Sequence, residues 1–199
     1  YTPSGRSIQK PYDNGEEEYR EEILERYEHG EFLHADSVNF PDSLVFRTKK
    51  KGRKVYGGGG IFPDVFLPLD TAHYTDYYRD LVASGTVNRF VIDKMDEYRE
   101  QWEEEYSTFA EFDEAFQIPE HFIESLIARG EDNGIKKNKE ELNRSLSWLK
   151  TQMKALIARN MWDNSKYYQI INPAMPFFDR VIQVIENDEL YSETFGNGE

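Results

Sequence analysis

Four histidines, His29, His34, His73 and His121, and the glycine run Gly57 to Gly60 are the residues of this 199-residue chain whose types and spacing could carry chemistry. Glu31-x-x-His34 and Asp70-x-x-His73 have the carboxylate-x-x-His spacing with which facing helices hold paired metal ions. That chemistry requires each motif to sit on a helix. Glu31 follows Gly30, a helix stop, and Asp70 lies close after Pro68, so surface or packing histidines are the plainer expectation. His121 shares a helical turn with Glu120 and Glu124, but Phe122 and Ile123 dominate that turn and a solvated face is expected there. No metal and no cofactor is expected.

The glycine run invites comparison with a phosphate-binding loop. Such a loop needs a following Lys and Ser or Thr to reach phosphate and metal. Ile61-Phe62-Pro63-Asp64 follows instead, and Pro63 prevents an immediate helix N-terminus. The expectation is backbone adaptability, with glycines where φ is positive or where chain approaches chain. No G-x-S-x-G elbow marks a serine as nucleophile. The absence of cysteine excludes disulfides, thiolate metal sites and a thiol nucleophile. Glu16-Glu17-Glu18, Glu21-Glu22 and Glu103-Glu104-Glu105 read as solvated faces, and nothing isolates the acid–base pair in an apolar cleft that proton transfer requires.

Charge narrows the partners. Asp and Glu number 38 against 24 Lys and Arg, a net charge of -14. That balance argues against a nucleic-acid-binding face and against an anionic membrane surface. No apolar run approaches the roughly 20 residues that span a bilayer. Ile, Leu, Val and Phe still make up about 24% of the chain, above the level at which disorder sets in. Arg47, Lys49, Lys50, Lys51, Arg53 and Lys54 run against the acidic trend. They read as a polar hairpin tip that protects an edge strand, or as a surface for the acidic helix at Glu16 to Glu28, within one chain or between two.

The elements that must position these residues divide near residue 70. Before it, Glu16 to Glu28 predicts a charged helix with Tyr19, Ile23, Leu24 and Tyr27 on one stripe. Leu44 to Tyr56 predicts a hairpin with a basic turn, and Ile61 to Leu69 an extended segment. After residue 70, apolar spacing predicts helices over Tyr74 to Ala83, Val87 to Tyr106, Phe109 to Phe116, Pro119 to Ala128, Lys139 to Met161 and Met175 to Asn187. Thr108-x-x-Glu111 has capping-box form, Asn138 is a plausible cap, and Gly130 is placed after a helix end. Phe178, Val181, Ile182 and Ile185 are expected to face inward. The fold class expected is mainly α, with a helical domain over 71–199 and a small β-containing arm over 1–70.

Two segments together resemble a known family. Tyr1-Thr2-Pro3-Ser4-Gly5-Arg6-Ser7-Ile8-Gln9 and Gly59-Gly60-Ile61-Phe62-Pro63-Asp64-Val65 are similar to paired stretches of the carboxy-terminal processing peptidases, or tail-specific proteases. In that family a P-S-G-R stretch leads to a G-I-x-P-D stretch late in a serine peptidase core. The resemblance covers about residues 1–70. Its motif positions are Pro3, Ser4, Gly5, Arg6, Gly59, Gly60, Ile61, Pro63 and Asp64. The family's Ser nucleophile and Lys base lie upstream of the first stretch, as does its PDZ domain, and none of these occurs here. No catalytic residue carries over, and Ser4 and Ser7 are motif positions only. The resemblance implies the last part of a serine endopeptidase of the periplasm or cell envelope, acting on protein or peptide substrates through the missing core. The part itself is expected to be inactive and to support the core, form homo-oligomers or gate the substrate cleft. A charged helix and a basic hairpin, about residues 13 to 56, intervene between motifs that the family often joins directly. The alternatives are a stand-alone helical interaction module and, third, a metal-dependent enzyme using His34, His73 and nearby carboxylates.

Overall fold

The computed structural model describes residues 1–9, 15, 21, 25, 29–30, 42–58, 60–67 and 72–195. Most of the charged helix expected over 16–28 lies outside these residues, as do Glu31, His34, Gly59 and Asp70. The chain forms two compact units. One comprises Tyr1–Asp70 with Arg180–Glu199, the other Thr71–Asp179. The described residues are mainly helical, with eight α-helices and one two-stranded antiparallel sheet.

The helical unit holds α1 (Asp76–Ala83), α2 (Thr86–Glu105), α3 (Phe109–Ala115), α4 (Glu120–Asp132), α5 (Lys139–Met161) and α6 (Asn164–Ala174). Four of the six, α1, α3, α5 and α6, start on side-chain caps, each worth about 1 kcal/mol. Thr75 Oγ1 accepts from the Tyr78 amide at 3.2 Å. Thr108 and Glu111 form the reciprocal box expected of them, at 3.3 and 3.0 Å. Asn138 Oδ1 accepts from the Glu141 amide at 3.2 Å. The long α5 packs along α6 and against α2 and α1. Because α5 has partners on more than one side, its buried set is wider than a single stripe. It includes Ser145, Trp148, Ala155, Ile157 and Ala158 beside Leu142, Leu149, Met153 and Leu156. From α2 come Val87, Phe90, Val91, Met95 and Trp102, at the three- and four-residue spacing that puts them on one face.

Three expectations are corrected. Gly130 lies inside α4, not after its end. A Cβ there would come 2.8 Å from Leu81 Cδ2, so the glycine lets α4 and α1 approach while the helix runs on to Asp132. The segment 164–174, not anticipated as helix, forms α6. The expected helix over Met175 to Asn187 is shorter, α7 (Phe178–Glu186), and a further helix, α8 (Asp188–Phe195), follows. Asn187 separates them, its Oδ1 accepting from the amides of Glu189 and Leu190 at 3.0 Å each. On α7 the buried residue is Val184, while Ile185 is 60% exposed.

The Trp148 indole donates to Tyr78 Oη at 2.9 Å, and Tyr78 in turn donates to Gln152 Oε1. Burial pushes the Tyr78 phenol up to about 12; the Trp148 hydrogen bond opposes this, and Tyr74 and Tyr167 add to it. The folded chain therefore holds this proton more tightly than the unfolded chain, whose tyrosines titrate near 10. The stability so contributed is complete below about pH 10 and is lost as pH rises from about 10 to about 12. A rise of that size amounts to about 2.7 kcal/mol, and solvent screening at the phenol brings the expected loss below that. Urea unfolding at pH 9 and pH 11 checks this. Tyr78→Phe should show a smaller loss than the wild type, and an equal loss would refute the assignment. Tyr77, Tyr106 and Tyr167, also pushed up chiefly by burial, contribute to the slope that remains.

In the other unit, β1 (Val45–Arg47) pairs antiparallel with β2 (Lys54–Tyr56), Val45 opposite Tyr56 and Arg47 opposite Lys54. The turn between them is the basic one expected. Arg47 Nη1 donates to the Gly52 carbonyl at 2.9 Å, closing the turn on itself. Lys51 Nζ reaches the Phe195 carbonyl at 3.4 Å, and the Arg53 guanidinium lies 5.7 Å from the Phe195 ring centre.

Candidate functional site

The two motif segments meet beside the hairpin. Pro3 and Ser4 occupy the middle of a tight turn in which the Gly5 amide donates to the Thr2 carbonyl at 2.9 Å. Proline's fixed φ suits the first central position of such a turn. The Thr2 amide then donates to the Arg6 carbonyl at 2.9 Å, so the loop closes and turns Arg6 toward the hairpin. Arg6 Nη1 donates to the Tyr56 carbonyl at 3.0 Å. Alongside, the Gly58 amide donates to the Ser7 carbonyl at 2.9 Å and the Gly60 amide to the Ile8 carbonyl at 2.8 Å.

Gly57 makes this approach feasible. A Cβ there would lie 2.9 Å from Phe46 Cε2, 3.0 Å from the Ser7 carbonyl oxygen and 3.1 Å from Arg6 Cγ. Gly60 serves differently, with φ at +92° and open space around it. Of the remaining motif residues, Asp64 forms an ion pair with Arg53, both side chains part-exposed. A pair so placed adds at most about 1 kcal/mol. Pro63 is exposed, and Ile61 is 72% exposed. Phe62 stands edge-on to Tyr56 at 6.0 Å.

The hydrogen bonds of this arrangement brace backbone. Ser4 Oγ lies 2.9 Å from Thr2 Oγ1, and Ser7 Oγ donates to the Gln9 carbonyl at 3.0 Å. Among the described residues neither hydroxyl is hydrogen-bonded to a Lys or His, the kind of partner that would raise its nucleophilicity. The histidines are apart from it. His121 is exposed and edge-on to Phe122 at 4.8 Å, while its neighbour Glu120 pairs with Lys150. His29 is exposed and His73 half-buried. Among the described residues no group of three or more His, Asp or Glu is placed to hold a metal ion. The Asp70 and His73 pair and the Glu31 and His34 pair each include a residue outside that set.

One feature of the helical unit escaped the sequence reading. A cleft of about 480 Å³ opens where the end of α3, the middle of α5 and the end of α6 converge. Residues 147, 150, 151 and 154 form one of its walls.

A model of a family of unknown function, DUF8443, matches residues 77–163, from α1 to just past the end of α5. No curated protein and no solved structure matches the chain. No helix of the described residues is long and apolar enough to cross a membrane.

Proposed function

We propose that these residues are the closing portion of a carboxy-terminal processing serine endopeptidase, in which the motif-bearing arm completes the peptidase core and the helical unit supports, assembles or gates it. The observation that carries this reading is the direct backbone pairing of the two motif stretches, Ser7 with Gly58 and Ile8 with Gly60. Residues 51 and 52 positions apart in sequence are joined where the resemblance to the peptidase family lies. A second observation supports it. Among the described residues of the arm only two strands pair, and Tyr1, Ile8 and Ile61 expose apolar side chains. Two strands are marginal alone, and such exposed groups suit further strands laid against them. On this reading the substrates are proteins or peptides, the setting is the periplasm or cell envelope, and self-association of the helical unit serves the enzyme.

The test is proteolysis. The natural polypeptide that carries these residues together with an upstream Ser and Lys should cleave a peptide with an apolar carboxy-terminus. Changing that Ser to Ala should abolish turnover, and the 199-residue chain should show none above background. Cleavage by the 199-residue chain itself would overturn the reading.

One observation favours a second reading, a transferable interaction module. The unit Thr71–Asp179 has its own continuous core, from Tyr77 to Ile171, and the family match falls inside it. Such a unit can fold without a peptidase beside it. Expression of residues 71–179 alone, followed by a cooperative melt, would support that reading.

A further inference from the structure

The geometry points to the cleft between α3, α5 and α6 as a binding site for an uncharged, extended peptide segment carrying an apolar side chain. The site lies wholly within the helical unit, so it stands whichever way the peptidase reading is decided. Its volume, about 480 Å³, falls within the roughly 300–1,000 Å³ of ligand sites.

Charge is the first argument. Two ammonium groups enter the cleft one turn apart on α5, Lys150 and Lys154, their side chains 29% and 16% exposed. Each is already matched, Lys150 by Glu120 and Lys154 by Asp113 at 3.3 Å. The site is neutral as it stands, so a charged ligand would have to break a pair or enter unbalanced. An uncharged one would not.

The hydrogen-bonding inventory is the second argument. An ammonium has three N–H bonds. Lys150 directs one to Glu120, and Lys154 directs one to the main-chain oxygen of Asp113 at 2.5 Å, with the Asp113 carboxylate in an ion pair at 3.3 Å. The rest can serve a ligand carbonyl. One acceptor stands opposite, on α6. Pro173 has no N–H, so the Gln169 carbonyl four residues before it loses its usual helical donor, and both residues line the cleft. Beside the lysines on α5, Thr151 Oγ1 gives its proton to the Ser147 carbonyl at 3.0 Å, which leaves its oxygen to accept from a ligand N–H on that wall. Donors and acceptors on facing walls are what successive main-chain amides require. Phe116, Ile118 and Ile170 supply the apolar part of the lining, which suits one apolar side chain.

The test uses the 199-residue chain labelled with ¹⁵N and blocked pentapeptides, acetyl-Gly-Ala-Leu-Ala-Gly-amide and its counterparts with Ser or Glu at the centre. The leucine peptide should shift the amide signals of Gln117, Thr151 and Gln169 saturably. The serine and glutamate peptides should bind about tenfold more weakly or worse. Ser147→Trp, at an exposed position on the cleft wall, should abolish the shifts without moving the melting midpoint. Thr151→Val, which keeps the shape and removes an acceptor, should weaken binding about three- to tenfold. The proposal is overturned by no saturable shift at ~5 mM peptide, by equal affinity for the leucine and serine peptides, or by shifts that persist in Ser147→Trp.

Discussion

Phe112→Ala is expected to destabilise the helical unit by about 3–5 kcal/mol. Phe112 is wholly buried and sits at the centre of an aromatic cluster. Its ring stacks on Phe116 at 4.5 Å and meets Tyr106 and Trp162 edge-on at 5.5 and 5.4 Å. The cost has two parts, the lost transfer of a large apolar group and the void left among rings that cannot all collapse into it. Such aromatic pairs add about 0.5–1.5 kcal/mol each beyond burial. The effect is concentrated because Phe112 is the buried residue of α3, a helix of seven residues. With its anchor gone, α3 keeps its capping box at Thr108, the edge-on contact of Phe109 with Trp162 and the pairing of Asp113 with Lys154, none of which replaces a wholly buried ring. Domains are stable by only about 5–15 kcal/mol, so the loss would be a large share of the total. Urea unfolding followed by far-UV circular dichroism measures it. A loss below about 1.5 kcal/mol would mean the cluster repacks, contrary to the geometry. Phe112→Leu should retain more than half of the stability that alanine removes.

That cluster also shows what the sequence could and could not reveal. The ends of α5 were readable to the residue, because Asn138 and Glu141 announce the start and apolar spacing persists to Met161. The hairpin was readable because Val45 and Phe46 face Tyr56 and Val55 across an evident turn. In each case the signal is local. Gly130 was misread because its neighbour Leu81 lies 49 positions away, and close packing of α1 and α4 overrode the usual meaning of glycine near a helix end. The helix α6 was missed because Asn172, Pro173 and two adjacent β-branched residues, Ile170 and Ile171, weaken its local pattern; packing along α5 stabilises it instead. The cleft was illegible for the same reason. Lys150 and Lys154 look like solvent-facing residues until α6 is known to lie beside them. The motif stretches stood out as a resemblance, but the residue that lets them touch, Gly57, carries no sign of its crowding in the sequence.

Gly57→Val should release residues 1–9 from the hairpin while leaving the helical core intact. The backbone at Gly57 does not have the positive φ seen at Gly58 and Gly60, so the objection to a side chain is steric. A Cβ would meet Phe46, Arg6 and the Ser7 carbonyl oxygen, all between 2.9 and 3.1 Å. The carbonyl is the decisive neighbour, since it belongs to backbone and cannot rotate aside as a side-chain end can. Overpacking of this kind costs about 1–3 kcal/mol, and occasionally more. The two-stranded arm has little stability to set against that. The segment is therefore expected to separate, breaking the bonds from Gly58 to Ser7 and from Gly60 to Ile8 and the contact of Arg6 with the Tyr56 carbonyl. Amide hydrogen exchange gives a direct reading. Protection at Gly58 and Gly60 should vanish in Gly57→Val, persist in part in Gly57→Ala, and the unfolding of the unit Thr71–Asp179 should not change. Retained protection in the valine protein would show that the strands can part by the needed few tenths of an ångström without separating. Within the proposed peptidase the same substitution should lower turnover, because the braced stretches would no longer be held against the core they complete.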